Sequence, residues 1–197
     1  MSGGGSNGAW EAGVIWGLVH YGNADDYKWD VVSGVSAGSI NSIGIGVWAP
    51  GEEVQGSEEL VDIWANLTTD EIYSKRKITS AVALFEAPGV YDTTVGLNTL
   101  KTILQRYEGY KKKVSASAVD ANTGNKITFT DEEVPYDQFH HAVLGSASVP
   151  GAFPPTAFDG HLLIDGMTAY NTDVQATIDR CKEITGDNES LITIDIL

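Results

Sequence analysis

A single cysteine, Cys181, occurs in 197 residues, so no disulfide can form within the chain. Basic residues are scarce as well: 12 Lys and Arg stand against 27 Asp and Glu, a formal net charge of −15. That balance argues against a nucleic-acid partner and against electrostatic docking on anionic lipid, and it leaves any peripheral membrane contact to local apolar groups. No apolar run reaches the ~18–20 residues of a membrane-spanning helix, so no transmembrane segment is expected. No His, Cys, Asp and Glu residues recur at metal-ligand spacing, and neither a metal nor another cofactor is implied. Internal repeats, low-complexity tracts and interdomain linkers are also missing. With 42% apolar and 20% charged residues, the chain has the composition of a globular protein and the length of one domain, 1–197, with a sizeable core.

Against that background, Gly34-Val35-Ser36-Ala37-Gly38 stands where a β-rich run, Trp29 to Val32, gives way to a helix-like run of small and apolar residues from Ser39 to Trp48. A serine on a sharp strand-to-helix turn projects clear of the backbone, and glycines flank it because no Cβ fits beside the turn. This is the pattern of a nucleophile elbow, with Ser36 as candidate nucleophile and Gly34 and Gly38 as its flanks. In a chain with 22 glycines the pentapeptide alone is weak evidence.

A second feature is Gly3-Gly4-Gly5-Ser6-Asn7-Gly8, followed by a helical pattern over 9–21. Successive glycines let backbone N–H groups converge on an anion at a helix N-terminus. In acyl transfer that concavity is an oxyanion hole. Gly3, Gly5 and Gly8 also satisfy G-x-G-x-x-G. A dinucleotide loop, however, wants an acidic residue at the far end of the next strand, whereas Asp30 lies at its start. A flexible glycine tail is the third reading. A third feature, Ile164-Asp165-Gly166, closes the strand-like run 160–164; it fits either a catalytic Asp at a sheet edge or an ordinary Asp-Gly turn.

In this order and on these elements, the three features resemble the patatin-like phospholipase family. Leu144 to Pro155 is similar to that family's segment ahead of its catalytic aspartate, Ala118 to Thr130 to its paired strands around a Thr-Gly turn, and Asn171 to an asparagine in its Asp-Gly-Gly block. The resemblance spans nearly the whole chain. It implies a three-layer α/β fold with a mostly parallel sheet, and a serine lipid acyl hydrolase of phospholipase A type acting on a lipid or phospholipid. By position, Ser36 would be the nucleophile, Asp165 the base, and Gly3, Gly4 and Gly5 the oxyanion donors, with Gly8, Gly166 and Asn171 in support. Three positions depart from the family pattern. Asn7 stands for its Arg or Lys, which weakens the pull on an anion; Met167 stands for a small residue, which asks for more room beside Asp165; Asp173 stands for its proline.

Histidine narrows the mechanism. A Ser-Asp-His hydrolase carries its histidine after the acid, yet His20, His140, His141 and His161 all precede Asp165. A Ser-Asp dyad is therefore the reading adopted, with a Ser-His-Asp esterase and a non-catalytic lipid-binding or storage relative with a decayed site as alternatives. A free aspartate, with a pKa of ~3.9, is a poor base at neutral pH. Desolvation beside Leu162-Leu163-Ile164 is expected to raise it.

Helix patterns fall at 9–21, 37–48, 57–67, 93–107, 135–146 and 172–184, and strand patterns near 29–33, 112–119, 125–130, 160–164 and 190–197. Their alternation reads as an α/β fold with helices on both faces. Ala81-Val82-Ala83-Leu84-Phe85 is read as core or as a lid, and Cys181 as a buried packing residue. The glycine run follows Met1-Ser2 with neither a signal peptide nor the strand such a loop should follow. The chain is therefore expected to be a piece truncated at both ends, from a protein that is cytoplasmic or secreted. The sequons at Asn66 and Asn188 would matter only in the secreted case.

Overall fold

Apolar residues recurring every second position in strands, and at helical spacing between them, organise the chain in a computed structural model that describes residues 1–76 and 89–197. Helix α1 (Gly8–Tyr21) leads into β1 (Val31–Val35) and α2 (Ala37–Gly46). Next come α3 (Glu53–Asn66), the single turn α4 (Thr69–Ile72), and a short antiparallel pair, β2 (Ser74–Lys75) with β3 (Tyr91–Asp92). Helix α5 (Thr94–Leu104) precedes β4 (Lys113–Asp120) and β5 (Lys126–Thr130). Helix α6 (Phe139–Ser146), strands β6 (Thr156–Phe158) and β7 (His161–Asp165), and helix α7 (Val174–Thr185) complete the order. The Ala81–Phe85 patch lies outside the described residues. Among the described residues no helix is long and apolar enough to cross a membrane.

Strand β4 is the axis of the sheet. It runs parallel to β1, with Val31 opposite Lys113 and Val35 opposite Ser117, and antiparallel to β5 on its other side. Strand β7 joins β4 antiparallel at Ala118, Val119 and Asp120, where β1 has just ended. Strand β6 extends the sheet beyond β7. The fold is α/β: a mixed sheet with a parallel central pair, and helices on both faces. Alternation along β4 separates the two faces. Val114, Ala116 and Ala118 enter the apolar core with Ile43, Phe139, Val143 and Leu163. Ser115 and Ser117 point the other way, bonding to Ser33 and to Asp173 at the start of α7.

Two departures from the sequence reading have physical causes. The strand expected over 190–197 does not form: Glu189–Leu191 make a 3-10 turn, and the residues after it have no ladder partner among the described residues. Met1 already takes the edge of β1, donating from its amino group to Ser33 O at 2.9 Å and accepting from Val35 N–H at 3.3 Å. Side chains hold the C-terminal segment instead: Trp29 Nε1 donates to Asp195 at 2.8 Å, and Leu197 packs on the core. Conversely, β6 was not among the expected strands. Its three residues are too short to show a period, and its pairing comes from a tight turn with Asp159 and Gly160 at φ 47° and 76°. Cys181 is half-buried rather than fully packed, and desolvation pushes its thiol pKa up.

The entry to β4 is fixed by a buried ion pair. Lys112 Nζ contacts Glu53 Oε1 at 2.5 Å and donates to Trp29 O at 2.8 Å, tying α3 to the approach of β1. Burial pulls the Lys112 pKa down, against the opposing pull of Glu53. Removing one partner strands the other charge without water, which costs about 3–5 kcal/mol, whereas an apolar pair of similar volume is close to neutral. Lys112→Met should therefore lower unfolding free energy by about 3–5 kcal/mol in urea titration, and adding Glu53→Leu should restore most of the loss. A double variant no more stable than the single one would show that the pair contributes packing rather than charge compensation.

Candidate active site

Ser36 follows β1 directly and takes φ 54° and ψ −124°, a backbone conformation rare for a residue with a side chain. The flanking glycines make the turn possible. A Cβ on Gly34 would lie 2.1 Å from Gly38 O, and one on Gly38 would lie 2.6 Å from the Met1 backbone. Hydrogen bonds hold the strained residue on both sides. Its N–H donates to Ser146 Oγ at 2.8 Å, the Ser146 hydroxyl donates to Ser117 O at 2.6 Å, and Ser39 Oγ donates to Ser36 O at 2.6 Å.

Strand geometry brings the acid to this turn. Val35 pairs with Ser117 and Asp165 with the next residue, Ala118, so β1 and β7 end against each other along the same side of β4. Ser36 Oγ–H donates to Asp165 Oδ2 at 2.6 Å, and the Met167 N–H donates to Oδ1 at 2.9 Å. Asp165 is fully buried, and desolvation lifts its pKa above the ordinary aspartate value against the opposing effect of those two donors. Gly166 is required beside it, since a Cβ there would come within 2.7 Å of Ser117 O and Val35 Cγ1. Met167 does not crowd the carboxylate as expected; its side chain is 49% exposed.

The glycine run passes over Ser36. A Cβ on Gly3 would lie 3.1 Å from Ser36 Cβ and 2.8 Å from Asn171 Oδ1. The Gly3 N–H donates to Asn171 O at 2.9 Å, so the expected oxyanion role does not fit Gly3 here; it anchors the loop to the segment after Asp165. Among the described residues the N–H groups of Gly4 and Gly5 have no acceptor. Gly5 has φ 56°, in the left-handed region, whereas Gly4 is extended at φ −178°. Gly8 seats α1 against its neighbours, with Trp64 2.6 Å and Ala37 3.0 Å from where its Cβ would be. Asn7 is exposed, with its N–H on Gly4 O.

Several residues that hold the site carry no motif. Buried Glu11 accepts from Ser2 N–H at 2.9 Å and from Asn41 Nδ2 at 2.6 Å, and Asn41 also binds Gly8 O and Trp64 Nε1. This anchors the glycine loop from below. Asp173, at the family's proline position, caps α7 through Ala176 N–H at 3.0 Å and accepts from Ser117 Oγ at 2.8 Å and Lys126 Nζ at 2.9 Å. Burial works to raise its pKa, but those donors outweigh it and hold it below the usual range. Ser146 could have been suspected only from its place in the 144–155 stretch.

The histidines lie elsewhere. His161 faces Asp120 at 3.4 Å, His20 binds Trp16 O and Glu58, and His140 and His141 lie side by side on α6 with tilted rings, His141 stacking on Phe158. Burial drops the pKa of His140 to about 4. An apolar cavity is lined by Ile40, Trp64, Leu67, Leu100, Leu144 and Phe153; Ile40 follows Ser36 by one helical turn in sequence.

An α/β sheet carrying a strained serine at a strand-to-helix turn, with a buried carboxylate against its hydroxyl, has the geometry of a nucleophile elbow. The Patatin family profile, described as patatin-like phospholipase, matches residues 1–178, and the chain belongs to this family, whose members are lipid acyl hydrolases. No curated protein matches the chain.

The Asp165 environment makes a stability prediction. With its folded pKa above the unfolded value, the native state holds more protons between those two values, so stability falls as pH rises through that window. Above it the fold carries a buried carboxylate. Asp165→Asn should raise the melting temperature at neutral pH by about 2–4 °C, the response to roughly 1 kcal/mol in a chain of this size. The gain should vanish below the unfolded value of ~3.9, where the aspartate is neutral in both states. An equal gain at all pH values would point to packing instead of charge.

Proposed function

We propose that the chain hydrolyses acyl ester bonds of lipids in the manner of a phospholipase A, with Ser36 as nucleophile, Asp165 as general base, and the Gly4 and Gly5 N–H groups as oxyanion donors. The observation that carries this reading is the 2.6 Å hydrogen bond from Ser36 Oγ to a fully buried Asp165. Asp165 takes the hydroxyl proton as Ser36 Oγ bonds to the ester carbonyl carbon, and the carbonyl oxygen gains the negative charge under the glycine N–H groups. Collapse of that intermediate breaks the ester C–O bond, and the proton on Asp165 passes to the leaving alcohol. A water then gives a proton to Asp165 and attacks the acyl-serine. Collapse of the second intermediate releases the fatty acid and returns the proton to Ser36 Oγ.

Two further features support this reading. The raised pKa of Asp165 brings the carboxylate towards the range in which a base works without a histidine shuttle. The apolar cavity that Ile40 of α2 helps to line has the character an acyl chain needs. Ser36→Ala should abolish turnover of a short-chain ester with folding intact, and kcat/KM should fall on acidification with a midpoint above the ordinary aspartate value of ~3.9. Retained turnover in Ser36→Ala, or an acid limb unchanged in Asp165→Asn, overturns the assignment.

Gly5→Ala places a methyl at a left-handed position, a strain of about 1–2 kcal/mol, and shifts one donor. Turnover should drop about 10²–10³-fold with KM much less changed. A loss confined to KM would make the loop a ground-state binding element. A second reading, lipid binding without turnover, is favoured by the 3% exposure of Ser36. It predicts that neither soluble esters nor phospholipid vesicles are hydrolysed.

A further inference from the structure

Trp64, near the end of α3, belongs to the apolar cavity and to the support of the glycine loop at once. Its ring lines the cavity. The same ring backs the start of α1: a Cβ on Gly8 would lie 2.6 Å from Trp64 Cζ2 and 3.0 Å from Ala37 Cβ. The indole, the end of the glycine run and the residue after Ser36 therefore meet at one point. Trp64 Nε1–H donates to Asn41 Oδ1 at 2.7 Å, and Asn41 Nδ2 donates to Gly8 O at 3.0 Å and to Glu11 Oε2 at 2.6 Å. Glu11 also accepts from Ser2 N–H at 2.9 Å, one residue ahead of Gly3. The loop is thus gripped before Gly3 and at Gly8 by a single network, and that network ends on a wall of the cavity.

Another lining residue, Ala147, also adjoins the elbow, since it follows Ser146, whose Oγ accepts the Ser36 N–H at 2.8 Å. The wall continues onto α4 and α5 with Ile72, Thr99 and Leu100. Polar groups there are already bonded among the described residues. The Glu71 carboxylate accepts from Thr68 N–H at 2.8 Å and from Thr68 Oγ–H at 2.7 Å, and Thr99 Oγ1 donates to Glu71 O at 2.7 Å. An alkyl group is stable against such a wall, whereas a polar headgroup would lose its hydrogen bonds to water without replacement. The cavity has a volume of about 80 Å³. A water-sized group needs roughly 10–15 Å³ of such space, so about five to eight methylene-sized groups fit.

We propose that Trp64 is a positioning and specificity-determining residue that couples acyl-chain length to the rate of reaction. An alkyl chain packed in the cavity holds the indole, and through Asn41 and Gly8 it holds the glycine loop, so acyl chains of about six to eight carbons react fastest. This rests on the lipid hydrolase reading, in which the Gly4 and Gly5 N–H groups bind the oxyanion. Contacts remote from the reacting bond raise kcat when their energy goes into placing groups that act in the transition state. Misplacing such a group by ~1 Å costs about 10²-fold, so a modest settling of the loop is enough. A cavity that only held the substrate would instead lower KM and leave kcat flat.

The test measures kcat and KM of the full chain on straight-chain 4-nitrophenyl esters from acetate to decanoate. In the parent protein kcat should climb by up to roughly fourfold per added methylene, the equivalent of ~0.8 kcal/mol, and level off between hexanoate and octanoate, with KM much less changed. Trp64→Phe keeps an aromatic wall but removes the Nε1 donor, and it should cut the octanoate-to-acetate ratio of kcat by about tenfold or more. A purely structural role for Trp64 would lower kcat on all esters alike and leave that ratio intact. Thr99→Leu narrows the cavity from α5 without touching the Trp64–Asn41 bond, and it should move the levelling-off to a shorter chain. A rise confined to KM, a rate that still climbs at decanoate, an undiminished ratio in Trp64→Phe, or an unmoved optimum in Thr99→Leu would overturn the proposal. The first two outcomes need only the parent protein, so they decide the matter even where a variant fails to fold. Turnover indifferent to chain length refutes the coupling alone, whereas no turnover of any ester refutes the hydrolase reading and the coupling with it.

Discussion

The hydrogen bond between Ser36 and Asp165 exists because two strands of opposite direction end against one another on one side of β4. Strand β1 runs with β4 as far as Ser117, and β7 runs against it from Asp120 back to Ala118. A serine leaving the first and an aspartate ending the second are thereby adjacent in space, though far apart in the chain. The surrounding glycines follow from this crowding: Gly34, Gly38 and Gly166 stand where any side chain would meet backbone or a packed valine at under 3 Å. Shifting β7 by one residue would turn Asp165 to the opposite face of the sheet, so the register of three residue pairs controls the site.

Holding a carboxylate and a left-handed serine at that junction opposes folding, and the rest of the site is arranged against that opposition. The Ser36 N–H is satisfied by Ser146, which is itself fixed on Ser117 O. Ser117 in turn reaches Asp173, so the elbow, β4, β5 and α7 share one polar network beneath the sheet. Glu11 and Asn41 do the same for the glycine loop from the side of α1, α2 and α3. Each buried polar group in these chains has a partner, which is the condition under which such networks rigidify rather than destabilise. A rigid frame around Oγ also suits the proposed role of Asp165 as base, in which the proton would pass directly between two atoms 2.6 Å apart.

Much of the frame is legible in the sequence, because local rules set it. The strand-to-helix switch at Ser36 is marked by Gly34 and Gly38, and the ends of β4, β5 and β7 fall within a residue or two of their apolar patterns. The final segment is not legible: 190–197 alternates like a strand, but Met1 holds the edge it would need. Nor does a sequence show which glycine N–H points outward. Gly3 looks like Gly4 and Gly5, yet it donates to Asn171, and the left-handed residue is Gly5. Ser146 and Glu11 carry no local signal because their roles are long-range hydrogen bonds, the first across 110 residues, and no local period reports such a bond; Asp173 shows as a helix cap in sequence, but its bonds to Ser117 and Lys126 do not. By size alone Met167 asks for more room beside Asp165, but its side chain turns to solvent, a direction that sequence does not carry.

Activation of Ser36 by Asp165 is the central claim, and covalent labelling reads it without reference to any particular lipid. The full chain is treated with a fluorophosphonate, and the rate and position of the adduct are followed by peptide mass spectrometry. A single adduct on Ser36 is predicted, absent in Ser36→Ala, with a labelling rate about 10²–10⁴-fold lower in Asp165→Asn, the usual contribution of a general base. Labelling of Ser36 at an undiminished rate in Asp165→Asn, or an adduct on a different residue, would contradict the account.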